Sequence, residues 1–426
     1  PPGYAPPTLA VLSGRAPRLP IYPGLHLVPG GRVFHSGTNW RYEAPAVGTV
    51  ALRVTGTTAA WEDIGLNPNV VDREEGMSVL LPPAQDGRVL LLGGARWFNF
   101  AGSQLSAMAP ASEPRSAEIL DTRAVPPRWT RIGTAAAPAL NSPRINPNAV
   151  LLPDGKVLVL GGHDGFKFDG RTPSNRAEIY DPVGNAFTPV GTMNRERQYH
   201  SVALLLPDGR VFSAAGVAGV GGGVNQLDME FYEPPYFFNP DDTLATRPSI
   251  TNVFRDDGPD DRIAYGGEFF IETPNAVDIR KVALMRPGAP THHTDSEQRY
   301  VALAFSPVPG TNRLRVVVPG DPSVAPPGYY MLWIVDRNDR PCQRARFIRV
   351  SPQQCFVITD RSTFSSDEVA PGPALTQFGD SLYVVMDGFT PEELGINAAT
   401  PTTPPPDAVS PTVSFRRADN SVVAEM

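Results

Sequence analysis

The sequence predicts an all-β protein, a β-propeller followed by a β-sandwich, and three observations carry that expectation. The first is composition: 48 prolines and 39 glycines stand among 426 residues, of which only 19% are charged. Such a mixture favours short strands and tight turns over long amphipathic helices. The second is an internal repeat in which an apolar run, a Pro-Asp-Gly or similar turn and a β-branched run recur. The third is a change of pattern near Ala245, beyond which strands continue without the repeat.

The first copy of the repeat is Leu25-His26-Leu27-Val28-Pro29-Gly30-Gly31-Arg32-Val33-Phe34. The second joins Val79-Leu80-Leu81 to Arg88-Val89 through Asp86-Gly87, with Gly93-Gly94 following. The third runs from Ala149 to Val157 through Pro153-Asp154-Gly155, with Gly161-Gly162 following, and the fourth from Ala203 to Val211 through Pro207-Asp208-Gly209. From Gly30 to Asp86, Asp154 and Asp208 the steps are 56, 68 and 54 residues, near the ~50 of a kelch repeat with loop insertions. Each Asp-Gly or Gly-Gly is expected to be a two-residue hairpin turn at positive φ, between strands stacked against neighbouring blades. Ala117-Glu118-Ile119, Ala177-Glu178-Ile179 and Met229-Glu230-Phe231 supply further, outer strands.

Residues 1–245 are therefore expected as kelch-type propeller blades. Four blades in an open stack would leave two sheet edges and an apolar face that something must cover. Residues 246–351 carry strand-like runs such as Lys281-Val282-Ala283-Leu284-Met285 and Tyr329-Tyr330-Met331-Leu332-Trp333, at the spacing of an immunoglobulin-like β-sandwich. Residues 352–426 are a C-terminal extension with a Pro/Thr-rich stretch and the strand-like Thr412-Val413-Ser414-Phe415.

A formal net charge of -7 with no run of Lys or Arg argues against a nucleic-acid partner. No apolar stretch reaches the ~18 residues of a membrane span. The opening Pro1-Pro2-Gly3-Tyr4 is neither a signal peptide nor an initiator Met, so the chain is expected to have been processed or trimmed. Cys342 and Cys355 flank a strand and are either a local disulfide of an oxidising compartment or two separate buried thiols.

Chemistry is sought among six histidines, His26, His35, His163, His200, His292 and His293. Tyr199-His200 precedes the innermost strand of a blade, and His292-His293 lies in a loop of the sandwich. Imidazole with phenolate suits a cupric ion. Taken alone, the Tyr-His dipeptide is usually a packed aromatic beside a satisfied imidazole, and on a strand only one of two adjacent histidines faces a given ion.

Four linked motifs add a resemblance. Arg197-Gln198-Tyr199-His200-Ser201-Val202-Ala203-Leu204-Leu205-Leu206-Pro207-Asp208-Gly209-Arg210-Val211-Phe212 resembles the copper motif of the galactose oxidase and glyoxal oxidase family. Pro235-Tyr236-Phe237-Phe238-Asn239 with Leu244-Ala245-Thr246-Arg247-Pro248 resembles the family's passage into its C-terminal domain. Thr291-His292 with Glu297-Gln298-Arg299 resembles its second copper loop, and Pro326-Pro327-Gly328-Tyr329-Tyr330-Met331-Leu332 a later strand. The resemblance covers roughly residues 20 to 351 and implies copper held by Tyr199, His200 and His292, with Tyr199 as the base for the substrate hydroxyl proton. His293 has no counterpart in that loop and is expected to be exposed or to stand behind the ligands.

The family's redox partner is a tyrosine joined to a cysteine by a thioether, and no cysteine precedes Cys342. The Cys-Tyr radical is thus expected from a region outside this chain, on a companion chain or a cleaved N-terminal fragment that completes the propeller. Tyr22 stands at the start of a blade strand and is the alternative for that tyrosine, although Tyr22-Pro23-Gly24-Leu25-His26-Leu27 better resembles a structural segment of the following blade. The implied activity is oxidation of a primary alcohol, aldehyde or carbohydrate hydroxyl with reduction of O2 to H2O2, in a secreted or cell-surface protein. The competing reading is a non-catalytic glycan- or protein-binding protein with a vestigial metal site. Trp40, Trp97 and Phe98 either line a substrate pocket or pack between blades, and His163 and Asp164 either border the site or lie in a solvated loop.

Overall fold

The structure is a computed structural model describing residues 19–36, 49–55, 58–65, 74–95, 115–134, 136–164, 173–218, 224–255, 262–351, 374–378, 381–385, 414–416 and 422–425. Trp40, Trp97, Phe98 and Cys355 lie outside them. The chain divides into two compact units, Gly14–Gln353 and Pro1–Ser13 with Gln354–Met426.

Within the first unit, four antiparallel sheets follow one another. The first is β1 (Leu25–Val28), β2 (Arg32–His35), β3 (Thr49–Thr55) and β4 (Thr58–Gly65). The second is β5 (Glu74–Leu80), β6 (Arg88–Ala95), β7 (Ala117–Asp121) and β8 (Arg128–Ile132), and the third β9 (Asn148–Leu151), β10 (Val157–Leu160), β11 (Arg176–Asp181) and β12 (Ala186–Thr192). The fourth pairs β13 (Ser201–Leu205) with β14 (Val211–Ala215), and skips a small hairpin, β15 (Val217–Ala218) with β16 (Val224–Asn225), to reach β17 (Met229–Tyr232). These are propeller blades in meander order. In the third, β9 and β10 are buried at every position and β12 is largely open, as expected where inner strands are covered on both faces.

The turns differ from the two-residue expectation. Leu152 donates to Lys156 O and Gly155 to Leu152 O, which leaves a three-residue loop, Pro153-Asp154-Gly155, with only the glycine at positive φ. Leu206 to Arg210 repeats it. A type I turn closed by a left-handed glycine gives this geometry, because Pro fixes the first turn position and Gly accepts the last.

The fourth blade presents an apolar face. Val202, Leu204, Phe212 and Ala214 are half-buried, and register places Phe231 beside Phe212 and Met229 beside Ala214. Phe231 is 49% and Met229 59% exposed.

The sandwich comprises β18 (Asn252–Phe254), β19 (Arg262–Ala264), β20 (Glu268–Glu272), β21 (Ile279–Arg286), β22 (Arg299–Pro307), β23 (Arg313–Val317), β24 (Gly328–Asp336) and β25 (Arg346–Ser351). Strand β22 pairs with β21 through Arg299–Leu303 and with β23 through 304–307, so one strand serves both sheets. Phe269, Leu284, Val301 and Trp333 fill the core between them.

Polar side chains tie the sandwich to the blades. Gln298 accepts from Leu151 N (3.0 Å) and donates to Ala149 O (2.9 Å), standing in for a strand beside β9. Arg299 donates to Leu27 O (2.6 Å) in the first blade, and Gln85 of the second brackets Ala302. Arg247 joins Asp208 O in the fourth blade to Pro341 O and Cys342 O. These links make the sandwich loop between β21 and β22 part of the propeller's surface. Cys342 is a buried free thiol.

In the second unit, β26 (Ala374–Phe378) pairs with β27 (Ser381–Val385), and β28 (Ser414–Arg416) with β29 (Val422–Glu425), as two antiparallel hairpins.

Candidate metal centre

Two segments far apart in sequence meet at one end of the blades. Tyr199 and His200 end the chain's approach to β13, where Ser201 N donates to Gln198 O and His200 takes φ +65°. The Tyr199 and His200 rings stack with centroids 3.7 Å apart. From the sandwich, Thr291 and Thr294 exchange backbone hydrogen bonds of 2.9 Å each, closing a turn whose central residues are His292 (φ +50°) and His293 (φ +59°). Positive φ at both centres defines a type I′ turn, which ordinarily takes Asn and Gly. Two histidines there cost about 1 kcal/mol or more each, so surrounding contacts must hold the turn closed.

The result brings His200 Nε2 within 3.0 Å of His292 Nε2. Thr291 Oγ1 lies 2.8 Å from His292 Nδ1, and the Tyr22 ring stacks on His292 at 3.7 Å with an interplanar angle of 8°. Tyr199, His292 and Tyr22 are half-buried and His200 is exposed, so the pair opens to solvent.

His293 is 2% exposed, not at the surface: its Nδ1 lies 2.9 Å from Pro147 O and its Nε2 has no hydrogen-bond partner among the described residues. Burial pushes its pKa down to about 3, keeping it neutral. His163 is also buried, with Nε2 3.4 Å from Asn146 Nδ2, contrary to a solvated loop position. His26 belongs to a separate buried network with Ser78 and Ser36 between the first two blades.

The donor set fits a cupric ion. Two metal–imidazole bonds of about 2.0 Å meeting at a right angle place the nitrogens ~2.8 Å apart, close to the observed 3.0 Å. A proton on His292 Nδ1, donated to Thr291, would leave Nε2 free as a ligand. Among the described residues no three His, Cys, Asp or Glu side chains are grouped to hold a metal, and the ring of Tyr199, a donor of another kind, adjoins the pair.

The sequence reading missed the bond between His293 and Pro147, the Gln298 strand mimic and a buried ion pair, Arg144–Glu178, at 2.6 Å. Only the ion pair had a signal. Arg144 and Arg197 are 53 residues apart (197 − 144) and Glu178 and Glu230 are 52 apart (230 − 178), the period of the repeat itself, and Arg197 faces Glu230 at 3.7 Å.

Comparison with known proteins matches the galactose oxidase-like early set domain over residues 247–350 and the kelch motif over 146–194. A galactose oxidase of Gibberella zeae is 36% identical over 194 residues, covering 45% of this chain and 27% of that protein. An aldehyde oxidase of Arabidopsis thaliana is 28% identical over 214 residues (45% and 34%), and one of Vitis pseudoreticulata 31% over 212 residues (45% and 39%). The chain thus spans about a quarter to two fifths of the length of these curated relatives. A fungal alcohol oxidase of the AA5 family, solved in complex with copper, superimposes with a TM-score of 0.64 at 27% identity, covering 78% of this chain and 63% of that one. The chain therefore carries the kelch motif and the galactose oxidase-like early set domain, and its homologues are galactose oxidases and glyoxal oxidase-type aldehyde oxidases.

Proposed function

We propose that this chain is the copper-holding part of an oxidase that converts a primary alcohol or aldehyde to the next oxidation state while O2 is reduced to H2O2. The observation that supports it is the approach of His200 Nε2 to His292 Nε2, 3.0 Å, beside the Tyr199 ring. The two imidazoles and the Tyr199 phenolate would hold the ion. Copper bound there would supply a one-electron couple, half of what a two-electron oxidation needs, and the Cys-Tyr pair expected from outside the chain would supply the other half. Tyr199 Oη takes the substrate hydroxyl proton as the general base. The solvent-facing side of His200 admits the substrate, while Tyr22 and Thr291 fix the plane and tautomer of His292.

A companion chain or N-terminal fragment would cover the apolar face of the fourth blade, where Met229 and Phe231 lie open, and bring the radical pair. A secreted or cell-surface location follows from the same reading; no helix among the described residues is long and apolar enough to cross a membrane. Because a fold does not fix a function, the second reading is a kelch and sandwich binding protein whose metal site is vestigial. Copper-loaded protein assembled with the completing blades should release peroxide from alcohols or aldehydes and show a tyrosyl radical signal. Copper binding with neither would leave the second reading.

A further inference from the structure

The strained turn Thr291–Thr294 needs an explanation, because nothing in its sequence favours its shape. Thr-His-His-Thr places two β-carbon-bearing, bulky residues at positions that a type I′ turn ordinarily gives to Asn and Gly. Such backbone persists only where neighbours over-determine it. Contacts from the turn to its surroundings do so here, three of them outside the histidine pair itself. Thr294 Oγ1 donates to Tyr22 O (3.1 Å), Tyr22 stacks on His292, and His293 Nδ1 meets Pro147 O at 2.9 Å. Only the last reaches the third blade, at the residue just before β9, and only the last is buried. A backbone carbonyl can only accept, so Nδ1 carries the proton, and the imidazole acts as a donor wedged between sandwich loop and blade.

We infer that His293 is a positioning residue: its bond to Pro147 pins the turn to the propeller and so sets the reach of His292 toward His200. The functional consequence rests on the copper reading above; the pinning itself does not. Removing the pin frees the turn to relax from two left-handed residues, and His292 Nε2 then moves out of register with His200 Nε2. Partners of this kind around a metal ligand are worth roughly tenfold to a hundredfold in affinity.

The test uses the full chain and two substitutions of opposite prediction. His293→Gly supplies the residue that the turn ordinarily prefers but no donor. His293→Asn tolerates positive φ and places its Nδ2 the same number of bonds from the backbone as the imidazole Nδ1, so it keeps the donor. Hydrogen exchange at the Thr291 and Thr294 amides is read in the metal-free protein, and Cu(II) alone is then titrated with nitrogen superhyperfine structure as the spectroscopic readout. Expected are exchange at least about tenfold faster and Cu(II) binding roughly tenfold to a hundredfold weaker in His293→Gly, with His293→Asn close to the parent. Parent-like exchange in His293→Gly, or exchange in His293→Asn as fast as in His293→Gly, would overturn the pin. If the parent chain itself binds no Cu(II) through nitrogen, the copper reading fails, and the exchange rates still decide the role of His293.

Discussion

Replacing Arg144 by Met tests how the third blade is held. The Arg144 side chain is fully buried, and its guanidinium donates through Nε (3.1 Å) and Nη2 (2.6 Å) to Glu178 Oε1, through Nη1 to Gly161 O (2.8 Å), and through Nη2 to Arg176 O. Met fills much of the volume but supplies no donor. Glu178 would keep Asn141 N (2.7 Å) and Asn141 Nδ2 (2.8 Å), yet its charge would stand buried without a counter-ion, while the carbonyls of Gly161, Ser174 and Arg176 lose a donor. Breaking a buried pair from one side costs about 3–5 kcal/mol, and the surviving Asn141 bonds place this case near 3. Urea unfolding followed by tryptophan fluorescence reads the loss as a lower midpoint at unchanged slope. In the double substitution Arg144→Met with Glu178→Leu, the buried charge is gone, so about 2 kcal/mol should return. A loss below about 1 kcal/mol in the single variant, or no recovery in the double, would refute the assignment.

Acid should act through His26, whose pKa burial pushes down to about 3, with Arg299 and His35 opposing its charge further. The folded state then binds fewer protons than the unfolded one, so stability is full above about pH 6.5 and falls between 6.5 and 3; at pH 5 the deficit from His26 is roughly 2 kcal/mol, and His26→Gln should remove that share of the limb in the melting-temperature profile, leaving the share of the similarly shifted His293. Gln298→Leu leaves Leu151 N–H and Ala149 C=O unpaired and should cost about 2–4 kcal/mol in the same urea assay. Gly161→Ala forces a β-carbon to within 2.4 Å of Arg197 O at φ +67°, and should lower the unfolding midpoint more than Gly30→Ala, where the added carbon meets nothing within 4 Å.

The blades were legible because burial on both faces writes itself as unbroken apolar runs. Val157–Leu160 is four apolar residues, all buried, and Pro-Asp-Gly announces the turn before it. Tyr199 and His200 were legible as a pair through the same repeat, since the strand after them fixes which end of the blade they occupy. Their meeting with His292 was legible only through the family resemblance of the two motifs, because it depends on Gln298 and Arg299 docking the sandwich loop onto backbone atoms of two blades, and backbone partners leave no mark in sequence. Which of the two expectations holds for His293, exposed or behind the ligands, stayed open for a related reason. Alternation on a strand sends neighbours to opposite faces, but a type I′ turn decides exposure by what lies beneath it, here Pro147.

The most direct measurement of the central claim is the electron paramagnetic resonance spectrum of the chain titrated with Cu(II), beside the variants His200→Ala and His292→Ala. The account predicts one tight equivalent with superhyperfine splitting from two imidazole nitrogens, reduced to one in each variant with affinity lowered by about a hundredfold. Weak, multiple binding whose spectrum is the same in all three proteins would contradict it.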